Sequence, residues 1–146
     1  MKRMISGVMV LLMVALLTGC GETGGLQDGY YTAQASDYNF GWKEYITIMV
    51  KGGSIVSVEY NAENPSGFIK SWDNAYMQTM LHTNGTYPNE YTRYYAGQFL
   101  ESQGEGEIDA ITGASTSHGS FQKLAAAVLE QARKGDSEIV VVDTGH

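Results

Sequence analysis

From Phe121 the apolar residues Phe121, Leu124, Ala125, Val128, Leu129 and Ala132 recur at i, i+3, i+4, i+7, i+8 and i+11, and the run closes near Gly135. That spacing lays one apolar stripe along a helix, and such a helix needs a second layer to cover it. The second layer is legible upstream. Tyr30 to Ala35 and Glu44 to Val50 carry β-branched and aromatic residues between turn signals, and Gly52-Gly53 separates the latter from Ser54 to Tyr60. A two-glycine turn supplies the positive φ values of a tight hairpin. Ser71 to Leu81 and Pro88 to Ser102 then show helical spacing, with Pro88 suited to a first turn. The expected architecture is α+β: a small antiparallel sheet with a central hairpin, packed against about three helices. The tail from Glu138 to Val142 reads as either a last edge strand or a frayed end.

The 146 residues suit one domain rather than two cores. A hydrophobic content of 43% with 17% charged residues describes a chain able to bury a core. The formal charge of −7, with no basic run, excludes nucleic acid as a partner, because phosphate backbones are bound by clustered Lys and Arg.

The N-terminal segment reads as an address. Lys2 and Arg3 precede an apolar run from Val8 to Leu17, too short for a membrane span, which needs about 20 residues. The run ends in Leu17-Thr18-Gly19-Cys20, which resembles the lipobox of bacterial lipoproteins, where cleavage leaves an acylated cysteine first. The expected organisation is a signal peptide at 1–19, a lipidated tether at 20–27 beginning with Cys20, a domain at 28–135 and a tail at 136–146. The secretory signal puts the domain outside the cytoplasm, and two or more acyl chains hold a protein stably on a bilayer. Cys20 is the only cysteine, so disulfides within the chain and Cys-based metal sites fall away together.

One segment carries chemistry. Asp109-Ala110-Ile111-Thr112-Gly113-Ala114-Ser115-Thr116-Ser117 sets small and hydroxylated residues immediately before the long helix, where unpaired amides and the helix dipole attract an anion. Gly113 and Ala114 let the backbone approach a ligand, and the hydroxyls donate to phosphate oxygens or cap the helix. The residues alone leave open whether the segment is a phosphate seat or an ordinary helix cap.

The segment resembles the pattern Asp-x-x-(Ser/Thr)-Gly-Ala-(Ser/Thr)-x-(Ser/Thr) of the FMN-binding domain found in flavin-carrying subunits of sodium-pumping NADH:quinone oxidoreductases and Rnf complexes. Asp109, Thr112, Gly113, Ala114, Ser115 and Ser117 fill its fixed positions. The resemblance extends from Asp28-Gly29-Tyr30 through Gly41-Trp42-Lys43 and Lys70-Ser71-Trp72-Asp73 to Phe121-Gln122-Lys123-Leu124, and it is nearest to small FMN-binding lipoproteins of Gram-positive bacteria. It implies FMN joined through a phosphoester to Ser117 by a separate flavin transferase that uses FAD and magnesium. The acceptor in that family is more often threonine, and Thr116 stands one residue away as a rival. Trp42, Trp72, Tyr76 and Tyr94 are available as walls for the flavin ring. Lys70 and Ser71 are candidates for its phosphate or polar edge, against the reading of a loop lysine beside a serine that caps the helix at Trp72. His118 carries no catalytic role, and His82, His118 and His146 lack metal-ligand spacing.

The function implied is a membrane-anchored extracytoplasmic flavoprotein that relays electrons from a membrane-bound donor to an extracytoplasmic acceptor. No catalytic residue of its own is implied. The alternative is a non-redox lipoprotein that holds a phosphorylated small molecule at the same helix start.

Overall fold

A computed structural model describes residues 25–145. The signal peptide, Cys20 and the first residues of the tether lie outside the described residues. Strands β1 (Gly29–Ala35), β2 (Lys43–Lys51) and β3 (Ser54–Glu63) are followed by a 3-10 turn at Lys70–Trp72, then α1 (Asn74–Asn84), α2 (Pro88–Ser102), α3 (Ser115–Lys134) and β4 (Val140–Val142). The sheet order is β3-β2-β1-β4. Both β1–β2 and β2–β3 are antiparallel, as expected, whereas β4 pairs parallel to β1, so the sheet is mixed. The tail is thus an edge strand. Its direction follows from α3, which delivers the chain to the end of the sheet where β1 begins.

Gly52 and Gly53 turn the central hairpin with φ of 62° and 75°, the left-handed conformation that a two-residue loop needs. Along β2, Glu44, Ile46, Ile48 and Val50 are buried in alternation, and this face meets α3. All six residues of the predicted stripe, Phe121 to Ala132, are buried. Each large side chain among them contributes roughly 1.5–3 kcal/mol by leaving water. Helix α2 adds Tyr91, Tyr95 and Phe99 to the same core, and Tyr95 stacks on Phe121 at 5.3 Å between centroids.

Several boundaries differ from expectation, two of them at the candidate site. The predicted helix at Ser71–Leu81 begins instead at Asn74, because the Asp73 carboxylate accepts a hydrogen bond from the Tyr76 amide at 3.0 Å and caps it there. Residues 70–72 form the tighter turn, which leaves Ser71 outside the helix and not its cap. The long helix starts earlier than its apolar stripe, so Ser115, Thr116 and Ser117 lie within its first turn rather than before it.

Gln103 ends α2 in a left-handed conformation at φ 56° and turns its amide onto β3. Its Oε1 accepts from Ile55 N at 2.8 Å, and its Nε2 donates to Ile55 O at 2.9 Å. Replacing Gln103 by Ala removes both bonds from an edge strand, an expected loss of about 2 kcal/mol that a guanidinium unfolding midpoint will register.

The chain enters the domain at the far end of α3. Gln27 N donates to Ala132 O at 2.9 Å and Gln27 Nε2 to Arg133 O at 3.2 Å. The 20 residues of α3 separate this end from the helix N-terminus by about 30 Å.

Candidate functional site

Ala114 occupies the cap position of α3 with φ −125° and ψ 29°, and no side chain caps the helix. The hydroxyls that would serve an ordinary cap sit one to three residues too late for it. Helix N-termini leave backbone amides unpaired and carry about half a positive charge, so an uncapped start is a seat for an anion. Ser115 and Thr116 are exposed, whereas Ser117 is turned inward at 9% exposure.

The loop that leads into this start is clamped from three sides. The Tyr95 hydroxyl accepts from Ile111 N at 2.9 Å, His118 Nε2 meets Ile108 O at 2.6 Å, and Asn84 Nδ2 donates to Gly113 O at 3.2 Å. His118 is therefore a fastening for the loop. Gly113 has φ +88°, and a Cβ there would come within 2.2 Å of Asn84 O. The close approach that this glycine permits is to the end of α1, not to open ligand space, and Ala114 is packed in the core. Asp109 and Thr112 remain on the exposed outer side of the loop.

Beneath the helix start lies a buried polar cluster. The Tyr60 hydroxyl is shared between Glu44 Oε1 at 3.0 Å and Ser117 O at 2.9 Å. Asn61 Nδ2 donates to Ser71 Oγ at 2.7 Å. The Lys70 ammonium stands 5.1 Å from the centroid of the Tyr76 ring, and Tyr76 meets Trp42 edge-on at 5.7 Å. Lys70 is buried, and its pKa is lowered by that burial, an effect that Glu44 partly offsets. Of the residues predicted for the site, Ser117, Lys70, Ser71, Tyr76 and Trp42 thus gather around the same end of the domain. Trp72 does not join them: at 75% exposure it borders a groove of about 580 Å³ with Tyr60, Asn61, Ser71, Thr92 and Arg93. Tyr94 lies at the surface, against Tyr95 at 5.6 Å.

Glu44, Tyr60, Asn61 and Tyr91 are site residues that the sequence reading misses. Glu44 has a signal in the sequence, since a carboxylate on the inward phase of a half-buried strand is expensive unless partnered. The tyrosines have none, because each sits where a core aromatic belongs.

Burial, followed by Glu44, raises the Tyr60 hydroxyl well above its ordinary 10.0. Burial also raises Tyr91, with Ser117 pulling the other way. The unfolded chain ionises both phenols near pH 10 while the folded domain keeps them neutral. The stability they contribute is therefore complete below pH 10 and is lost above it, by about 1.4 kcal/mol per pH unit for each residue. Lys70 has the opposite sign: its lowered pKa adds stability as pH climbs toward its ordinary 10.5 and nothing beyond. Tyr45, Tyr76 and Tyr95 are raised by burial in the same sense, so denaturant titrations should show stability falling steeply above about pH 10.5, and Tyr91→Phe should make that slope shallower by up to about 1.4 kcal/mol per pH unit.

Among the described residues no helix is long and apolar enough to cross a membrane, and no group of His, Cys, Asp or Glu is arranged to hold a metal ion. No family model matches the chain. A Clostridium perfringens protein of known crystal structure is 35% identical, superposes with a TM-score of 0.76, and is matched over 81% of this chain and 98% of its own. The 15 kDa lipoprotein of Treponema pallidum is 32% identical over 131 residues, which cover 89% of this chain and 93% of that protein. The chain belongs to the family of that lipoprotein.

Proposed function

We propose that this lipoprotein is a flavin carrier on the extracytoplasmic face of the membrane, with FMN esterified to Ser117 and electrons passing between a membrane-bound donor and an extracytoplasmic acceptor. The observation that carries the reading is the uncapped start of α3, with three hydroxyls in its first turn where an ordinary cap would put one before it. The residues present fit a phosphodiester. The first-turn amides favour its charge, Ser115 and Thr116 offer donors from the outer side, and Lys70 supplies a buried cation on the inner side. Trp42 and Tyr76 offer aromatic surface beside them, and the groove at Trp72 has the size of small-ligand sites.

FMN, when bound, supplies the hydride and single-electron chemistry; the protein sets its access and surroundings. Attachment is a phosphoryl transfer from FAD. The Ser117 oxygen bonds to the phosphorus on the riboflavin side, the pyrophosphate bond breaks, AMP departs with the bridging oxygen, and the serine proton is released. A covalent link keeps the cofactor on a protein bathed in dilute medium, where reversible binding would empty at ligand concentrations below Kd.

The fold also bears on orientation. From Cys20 to Gln27 the chain can span at most about 24 Å, and Gln27 is tied to the C-terminal end of α3. An acylated Cys20 therefore holds the opposite end of the domain to the bilayer, with the helix start about 30 Å away along α3. The short tether alone suggests that partners meet this protein at the headgroups; the helix length moves their meeting point outward.

The test is to produce the full chain with a flavin transferase, denature it and separate the polypeptide from free flavin. Yellow fluorescence that stays with the protein, and a mass increment of one FMN less one water, are expected. An unmodified mass would leave the alternative, a lipoprotein that binds a phosphorylated molecule reversibly.

A further inference from the structure

Tyr91 is 1% exposed, and its hydroxyl is a buried side-chain polar atom without a hydrogen-bond partner. A buried hydroxyl left unpaired is destabilising, and native structures retain few of them. Phenylalanine would fill the same volume against Tyr95, whose ring lies 6.2 Å away, with nothing left unpaired. The surrounding geometry places the orphan beside the Ser117 turn: Tyr91 and Tyr60 both pack against the Tyr95 ring at 6.2 Å, the Tyr60 hydroxyl donates to the Ser117 carbonyl at 2.9 Å, and the Ser117 side chain opposes the rise that burial gives the Tyr91 pKa. Around it the other polar groups are already engaged: Tyr60 with Glu44 and the Ser117 carbonyl, Asn61 with Ser71.

We infer that the Tyr91 hydroxyl is a positioning donor for the phosphoryl group carried at Ser117, unpaired in the unmodified domain because its acceptor is the phosphate oxygen of the ester. This rests on the flavin reading above and adds the residue that holds the ester from within the core. A phosphoryl oxygen is a strong acceptor, and an O–H to an anionic oxygen is among the stronger hydrogen bonds. Esterification would thus turn the one unpaired phenol of the cluster into a charge-assisted contact, and the loaded domain should be the more stable form for that reason.

The experiment compares the full chain and its Tyr91→Phe variant, each in unmodified and FMN-loaded forms. Unmodified Tyr91→Phe should melt at or slightly above the unmodified parent, since it loses an unpaired group. Loaded Tyr91→Phe should melt about 5 °C below the loaded parent, and phosphorus NMR of the loaded pair should show a displaced phosphodiester resonance. A merely structural tyrosine, or one paired through a buried water, would lower both forms equally and leave the phosphorus signal in place, which would overturn the inference. If both proteins take up flavin but gain the same thermal shift, Tyr91 has no part in holding the ester. If the parent takes up no flavin, the reading on which this rests falls first, and the inference with it.

Discussion

Ser117→Ala, co-expressed with a flavin transferase, should emerge with no covalent flavin, a change from full to zero incorporation by intact mass. The substitution keeps the Ser117 carbonyl, to which Tyr60 bonds at 2.9 Å, and removes only the hydroxyl that acts on the Tyr60 and Tyr91 phenols. Helix propensity moves slightly in favour of alanine. Folding is therefore preserved, and any loss of flavin is chemical rather than structural. Thr116→Ala is the matched control, since Thr116 is exposed in the same helical turn and is the more accessible oxygen. If accessibility to the transferase governs the choice, Thr116→Ala will be the variant that loses the flavin and Ser117→Ala will keep it. Attachment through Ser117 requires the reverse.

Gly113→Ala carries the largest expected effect on stability. A left-handed φ costs an alanine about 1–2 kcal/mol, and the new Cβ would stand 2.2 Å from a backbone oxygen of Asn84 that no side-chain rotation can move. The loop must shift, and with it the hydrogen bond from Asn84 to Gly113, a further contribution of about 1 kcal/mol. Together these give a loss of roughly 3 kcal/mol and a fall in Tm of about 10 °C, measurable by circular dichroism. Gly119→Ala is the contrast. Gly119 lies inside α3 with open space where a Cβ would be, and that substitution should raise stability by up to about 1 kcal/mol. The pair separates two uses of glycine in neighbouring stretches of chain, one enforced by packing and one free of it.

The elements that the sequence discloses best are those whose signals are local. Pro88 opens α2 and the helix ends at Ser102 as its periodicity indicates, while Gly52-Gly53 turns the hairpin between two strands. The stripe of α3 is buried residue for residue. Errors arise where one side chain decides a boundary: Asp73 outcompetes Ser71 as a cap, and β3 runs on to Glu63 because Lys43 and Glu44 continue to pair with Glu63 and Ala62 beyond the expected end. The parallel direction of β4 depends on where α3 returns the chain, which no window of residues contains.

Site residues divide the same way. The pattern from Asp109 to Ser117 is contiguous and can be recognised in a line of text. The cluster of Glu44, Tyr60, Tyr91 and Lys70 is assembled from β2, β3, α2 and the 3-10 turn, and its members look like core or loop residues until the fold brings them together. Trp72, an aromatic at helical spacing, stands mostly in solvent and borders the groove with Tyr60, Asn61 and Ser71, apart from the Trp42–Tyr76 pair.

The most direct test of the central claim is to isolate the protein from the membranes of its native host, digest it, and characterise the peptide containing Ile111 to Lys123. The expected result is a fluorescent peptide heavier by one FMN less one water, with the modification on Ser117. The same peptide recovered colourless and at its unmodified mass would contradict covalent flavin attachment.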